Sequence, residues 1–215
     1  MAFFVPETSS GSERELIPAM PHLAVCCGIA DLGSKEKTFK GETKWKRVIN
    51  IQFELAGLRD KGDYEGVAFD RPRYAGMKHN LDMSPKSWLR RDICAWIGRQ
   101  LSDAEAKAFD IDQLIGKPCI LSFQHSDCGK WSNIAGIMPI MAGQVAPRLE
   151  AIPYSYSIER DGLNFPAGLD APQASWVKTA VLESPEGAKM AKLQPAAAAP
   201  AEEAQAGIDN PAIPF

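Results

Sequence analysis

The chain has no apolar run long enough to cross a membrane. Its first residues lack the basic n-region and sustained apolar core of a secretory signal, so a cytoplasmic location is expected. Five cysteines, an odd number, argue against a complete disulfide framework, and reduced thiols are expected. No Gly-x-Ser-x-Gly elbow and no His-Glu-x-x-His pair occurs. Gly116-Lys117 lacks the upstream glycines of a phosphate-binding loop. His125 and Cys128 have ligand-like spacing, and Cys26-Cys27 could approach them in a barrel. Zinc normally needs four ligands at defined spacings, so buried thiols beside a loop histidine are expected, with no metal and no cofactor. Asp103, Glu105, Asp110 and Asp112 read as a cap and a solvated helix face. The enzymatic alternative is a metal-dependent nuclease or other nucleic-acid enzyme that uses the carboxylates near Asp110. The expectation is a protein without catalysis.

Lysine and arginine are also missing from Leu193 to the terminus, where Glu202, Glu203 and Asp209 occur. Those three acids account for the whole net charge of -3, so the rest is balanced. The balance is uneven, because Lys35 to Arg99 carries 15 bases and 9 acids. A basic middle with an acidic tail makes nucleic acid a candidate partner.

Residues 1–21 hold Thr8-Ser9-Ser10-Gly11-Ser12, a flexible composition, with Pro18 and Pro21 behind it. His22 to Leu32 alternates as a strand, with Leu23, Val25, Cys27 and Ile29 on one face. Gly28 is placed for a bulge or a sharp bend. Gly33 to Lys44 reads as a lysine-rich loop. Trp45 to Leu55 puts Ile49, Ile51, Phe53 and Leu55 on one side and Lys46, Val48, Asn50, Gln52 and Glu54 on a solvated side. Gly57 to Gly66 reads as a turn. Val67 to Met77 is a third strand interrupted by Pro72. Lys86 to Ile97 has Leu89, Ile93, Trp96 and Ile97 at helical spacing, with Ser84 as the expected cap and Gly98 as the stop. Trp88 and Trp96 are both expected in the core. Ser102 to Glu105 has a capping-box pattern. Cys119 to His125 and Trp131 to Ile140 are strands four and five, joined by a hairpin loop.

This order is that of the OB-fold, a five-stranded barrel with a helix between strands three and four. The expected class is therefore mainly β, with flexible N- and C-terminal extensions. The expected division is a flexible 1–21, an OB domain over 22–140, a Pro/Gly-rich 141–192 that packs on the barrel or is loosely ordered, and a disordered acidic tail over 193–215. In an OB-fold a single strand crosses strands two and three, framed by the first–second and fourth–fifth loops. The first–second loop supplies Lys35, Lys37, Phe39, Lys40, Lys44 and Trp45. Strand two adds Lys46 and Asn50. Strand three adds Arg71, Arg73 and Tyr74. The fourth–fifth loop adds His125, Lys130 and Trp131. Trp45 and Trp131 could instead cover barrel ends, and the phase of Trp45 favours burial.

Residues 22 to 139 resemble phage-encoded single-stranded DNA-binding proteins of OB type. His22-Leu23-Ala24-Val25-Cys26-Cys27-Gly28-Ile29-Ala30-Asp31-Leu32-Gly33, Gly116-Lys117-Pro118-Cys119 and Trp131-Ser132-Asn133-Ile134 carry the resemblance. The terminal Ile213-Pro214-Phe215 resembles the partner-recruiting tail of bacterial single-stranded DNA-binding proteins. Only Asp209 stands close to it, where that tail carries several acids. A terminal ring and carboxylate suit capture in an apolar pocket with a basic lip. The resemblance implies sequence-nonspecific coating of single-stranded DNA in phage replication or recombination within a bacterial host cell. It also implies recruitment of replication, recombination or repair proteins through Asp209, Ile213, Pro214 and Phe215. Membrane is not an expected partner, and self-association is left open. A further alternative is an OB-type protein-interaction module indifferent to DNA.

Overall fold

The computed structural model describes residues 15–64 and 67–193, and of Phe39, Tyr64 and Val67 the backbone alone. The fold is mainly β. Three long strands come first: β1 (Pro21–Phe39), β2 (Glu42–Tyr64) and β3 (Val67–Asn80). Helix α1 (Trp88–Ile97) and the short α2 (Asp103–Lys107) follow. Then come β4 (Pro118–His125), β5 (Ser132–Met138) and β6 (Tyr154–Tyr156). Three helices close the described chain: α3 (Ile158–Asp161), α4 (Trp176–Leu182) and α5 (Pro185–Leu193).

The sheet runs β3-β2-β1-β4-β5 with antiparallel neighbours, and β6 pairs parallel with β1. It is open. The expected closed five-stranded barrel is not formed, because no hydrogen-bonded ladder joins β3 to β5. Residues 15–17 stand in the gap instead: the Ile17 carbonyl accepts from Ser132 Oγ at 3.1 Å and lies 2.9 Å from His125 Nε2.

The expected loop over 33–44 is strand. Ser34 to Phe39 pairs residue by residue with Arg47 to Glu42, extending β1 and β2 into a two-stranded ribbon. Lys40 (φ 50°) and Gly41 (φ 80°) make its two-residue turn. Positive φ at both positions matches the right-handed twist of the flanking strands, and glycine adopts it without strain. The expected turn over 57–66 is likewise mostly strand, and a bulge between Leu55 and Arg59 restores the register. Pro72 does not interrupt β3, because an edge strand needs no N–H on its free side.

One core lies on one face of the sheet. Ile49, Ile51, Phe53 and Leu55 of β2 meet Cys119, Leu121 and Phe123 of β4, as alternation predicts. Helix α1 packs on both β3 and β5 and brings Leu89, Ile93 and Trp96 into that core. Its N-cap is Ser87, not Ser84: the Ser87 hydroxyl accepts the Arg90 N–H, while Ser84 Oγ hydrogen-bonds to Asp82. Gly98 ends the helix in the left-handed region, as expected. Trp96 is buried, but Trp88 is 66% exposed, one residue off the buried stripe. His79 points from β3 towards α1, 3.6 Å from Asp92, and burial holds its pKa below the ordinary imidazole value.

A second core lies on the opposite face of β1 and β2. Ala30, Leu32 and Val48 meet Tyr154, Tyr156, Ile158, Leu169, Val177 and Val181. The segment after β5 thus packs over the face of β2 expected to be wet. Asn50, Gln52 and Glu54 are buried. Gln52 Nε2 donates to the Gln173 carbonyl at 3.1 Å, and Glu54 accepts the N–H groups of Glu150 and Ala151 at 2.9 and 2.8 Å. Buried polar groups need such partners, and here the arm supplies them. Alternation along β2 therefore separates two cores rather than a core from solvent.

Among the described residues no helix is long and apolar enough to span a membrane.

Candidate functional site

Two clefts meet at the edge strand β3. The first, of about 380 Å³, lies on the outer face, between β2–β3 and the arm. Asn50, Arg71, Tyr74 and Lys78 form its sheet side, and Pro172, Gln173 and Trp176 form its arm side. The second, of about 340 Å³, occupies the gap between β3 and β5. Arg73, Tyr74, Lys130, Trp131 and Asn133 line it, with residues 15–17. Tyr74, Ala75 and Gly76 line both clefts.

Each cleft offers an aromatic ring and a cation. In the first, Lys78 Nζ lies 4.5 Å from the centre of the Trp176 ring. Arg71 stacks its guanidinium on Phe69 at 4.8 Å, and its buried Nε has no hydrogen-bond partner among the described residues. In the second, Trp131 is 67% exposed. The loop under it is fixed: Ser126 N–H donates to the Trp131 carbonyl at 2.8 Å, and Trp131 N–H donates to Ser126 Oγ at 3.1 Å. Lys130 is exposed and makes no ion pair among the described residues. Burial pushes the Tyr74 phenol up to about 12, so it stays neutral at physiological pH. Arg73 belongs to the framework more than to the opening, being buried with its Nε 3.3 Å from Asp60.

Of the residues expected to bind, Asn50, Arg71 and Tyr74 come together in the first cleft, and Arg73, Tyr74, Lys130 and Trp131 in the second. The ribbon residues line neither. Lys35 donates to the Ala180 carbonyl at 2.7 Å and so fastens α4. Lys37 donates to Asn80 at 2.6 Å, and Lys44 pairs with Glu42 at 2.8 Å. Lys40 and Lys46 are exposed near the ribbon's turn and base. Trp45 is 59% exposed rather than buried, because the ribbon continues beyond the last β3 partner of β2, past the described sheet core. Asn50 is 2% exposed and forms the cleft floor rather than an open surface. His125 is occupied with the Ile17 carbonyl. The Phe39 side chain and Asp209, Ile213, Pro214 and Phe215 lie outside the described residues.

Lys78 and Trp176 were not anticipated. Lys78 follows Tyr74 and Gly76 at period two, a signal present in the sequence just beyond the expected strand end at Met77. Trp176 depends on the arm folding back over β2, which no local pattern announces.

The carboxylates considered for a nuclease have structural contacts. Asp110 accepts the Asp112 N–H at 3.0 Å, and Asp112 pairs with Arg160 at 2.9 Å. Asp103 pairs with Arg90 at 2.7 Å. Glu105 completes a capping box with Ser102, whose N–H and hydroxyl hold its pKa down at about 2. Among the described residues no group of three or more His, Cys, Asp or Glu side chains could hold a metal ion. Burial raises the thiols of Cys26, Cys27 and Cys119 well above the ordinary range, which leaves them unreactive.

No family model matches the chain, and neither the curated proteins nor the solved structures contain a detectable relative.

Proposed function

We propose that the protein coats single-stranded DNA without catalysing a reaction on it, and that the strand lies across β3 from one cleft to the other. The meeting of both clefts at Tyr74 carries this reading. A polynucleotide needs a row of flat rings and a parallel row of cations. Trp176, Tyr74 and Trp131 supply the rings, and Lys78, Arg71 and Lys130 the cations. The order β3-β2-β1-β4-β5, with a helix between strands three and four, is consistent with an OB-type barrel left open between β3 and β5. The resemblance over 22–139 to phage single-stranded DNA-binding proteins supports the same reading. It adds a role in phage replication or recombination, with little sequence dependence. Recruitment of partner enzymes by Ile213-Pro214-Phe215 rests on the sequence of the tail.

The ribbon cations leave the proposed track, so the salt dependence is modest. Three phosphate contacts on a single strand give a log–log slope of about -2 against salt concentration. Fluorescence-quenching titrations with oligo-dT at several salt concentrations measure it. Saturable quenching with that slope is expected. No quenching at low salt would remove the DNA-binding reading and favour a protein-interaction module.

A further inference from the structure

Asn50 is the unusual residue of the first cleft. It sits in the middle of β2, 2% exposed, and lines the cavity. Its neighbours Gln52 and Glu54 have their polar atoms engaged by the arm, as described above. The Asn50 amide has no hydrogen-bond partner among the described residues. The amide is not fully enclosed, unlike the partnerless Nε of Arg71, so it keeps an opening to the cleft where a bound group can meet it.

Gly76 stands directly over that amide. A Cβ built at Gly76 would lie 3.0 Å from Asn50 Oδ1 and 3.6 Å from Nδ2. With glycine there, the amide is reached from the cleft. Trp176 forms the opposite wall, 37% exposed, with the Lys78 ammonium over its ring 4.5 Å from the centre. The cavity's size, about 380 Å³, falls in the range of small-ligand pockets, roughly 300–1,000 Å³.

We infer that the first cleft is a base-reading subsite: one base turns out of the bound strand, stacks on Trp176 and pairs with the Asn50 amide. This deepens the strand-binding reading and rests on it. A carboxamide offers one donor and one acceptor side by side. Adenine presents the complement at N6 and N7, and asparagine-to-adenine pairing of this kind is common in DNA recognition. Guanine presents two acceptors on that edge and satisfies only half of the amide. The ammonium of Lys78 moves from the ring to the neighbouring phosphate as the base arrives. Other bases of the strand stack without being read, so the subsite adds a bias for adenine to an otherwise tolerant coat.

The test compares binding of the full chain to oligo-dT, and to oligo-dT carrying isolated dA, dC or dG residues at regular intervals. The dA oligonucleotide is expected to bind at least about fivefold more tightly than the dG one. Asn50→Ala removes the reader, though its burial puts folding at risk. Gly76→Ala keeps the amide and covers it, at an exposed strand position with ordinary φ. Either variant should lose the dA preference, read as the ratio of dA to dG affinity within that variant. Equal binding of all four oligonucleotides by the unaltered protein would overturn the base-reading subsite and leave strand binding standing. A dA preference that survives Gly76→Ala would also overturn it. Failure to bind any oligonucleotide would overturn both.

Discussion

Replacing Tyr74 and Trp131 together by alanine is expected to lower affinity for oligo-dT by about two orders of magnitude, with only a modest loss of thermal stability from the half-buried Tyr74. A base stacked on an aromatic side chain is worth about 1–3 kcal/mol, and each 1.4 kcal/mol is tenfold in affinity. Both rings line the cleft between β3 and β5, and Tyr74 also lines the cleft under the arm. Losing them interrupts the proposed track at its centre. Trp131 is 67% exposed, so its removal leaves no cavity. Trp45→Ala and Trp88→Ala are the controls, since those rings are exposed but line neither cleft. Direct titration with calorimetric melting checks the result. An unchanged affinity in the double variant would mean that the strand, if bound at all, runs elsewhere.

Gly28→Ala is expected to destabilise the protein by about 1–3 kcal/mol and to free the arm that covers β1 and β2. Gly28 follows a bulge in β1 and pairs with Gln52 on one side and Tyr154 on the other. The Tyr154 ring lies across it, and a Cβ there would sit 2.2 Å from Tyr154 Cζ. The methyl group must displace the ring, which forfeits the hydrogen bond that Tyr154 Oη donates to Gln52 Oε1 at 2.5 Å. The pairing of β6 with Gly28–Ala30 goes with it. Hydrogen exchange should quicken over 150–193 more than over β4 and β5. Affinity for oligo-dT should fall as well, because Trp176 and Gln173 reach the first cleft only through this docking. In a Tyr154→Ala background the same change should cost little, since contacting residues are not additive. Uniform loss of protection across the sheet would contradict this separable arm.

Periodicity alone reached β2 and β4, but in β1 Ala24 and Cys26, not Leu23, Val25 and Cys27, enter the core, because a bulge after Cys26 shifts the phase. Ile49, Ile51, Phe53 and Leu55 read correctly because every second residue of β2 enters the same interior. The same pattern misread Asn50, Gln52 and Glu54, since their partners come from residues far along the chain that carry no alternation of their own. A polar side chain buried by a distant segment looks, in sequence, like one in water. Trp45 failed for the converse reason: its phase pointed inward, but the ribbon carries it beyond the core. That Tyr74, Lys130 and Trp131 line one cleft follows from strand order, which fixes which loops and edges face one another. The placement of Lys35 does not follow from it, because its partner is the backbone of α4. That the sheet stays open was likewise beyond local patterns, since residues 15–17 stand between its edges.

The most direct test of a strand lying over the β3 edge is photo-crosslinking of the full chain to oligonucleotides carrying 5-iodouracil, with adducts located by mass spectrometry. The account predicts adducts on Trp131, Tyr74 and Trp176. Adducts confined to Trp45 or Trp88, on surfaces away from both clefts, would contradict it.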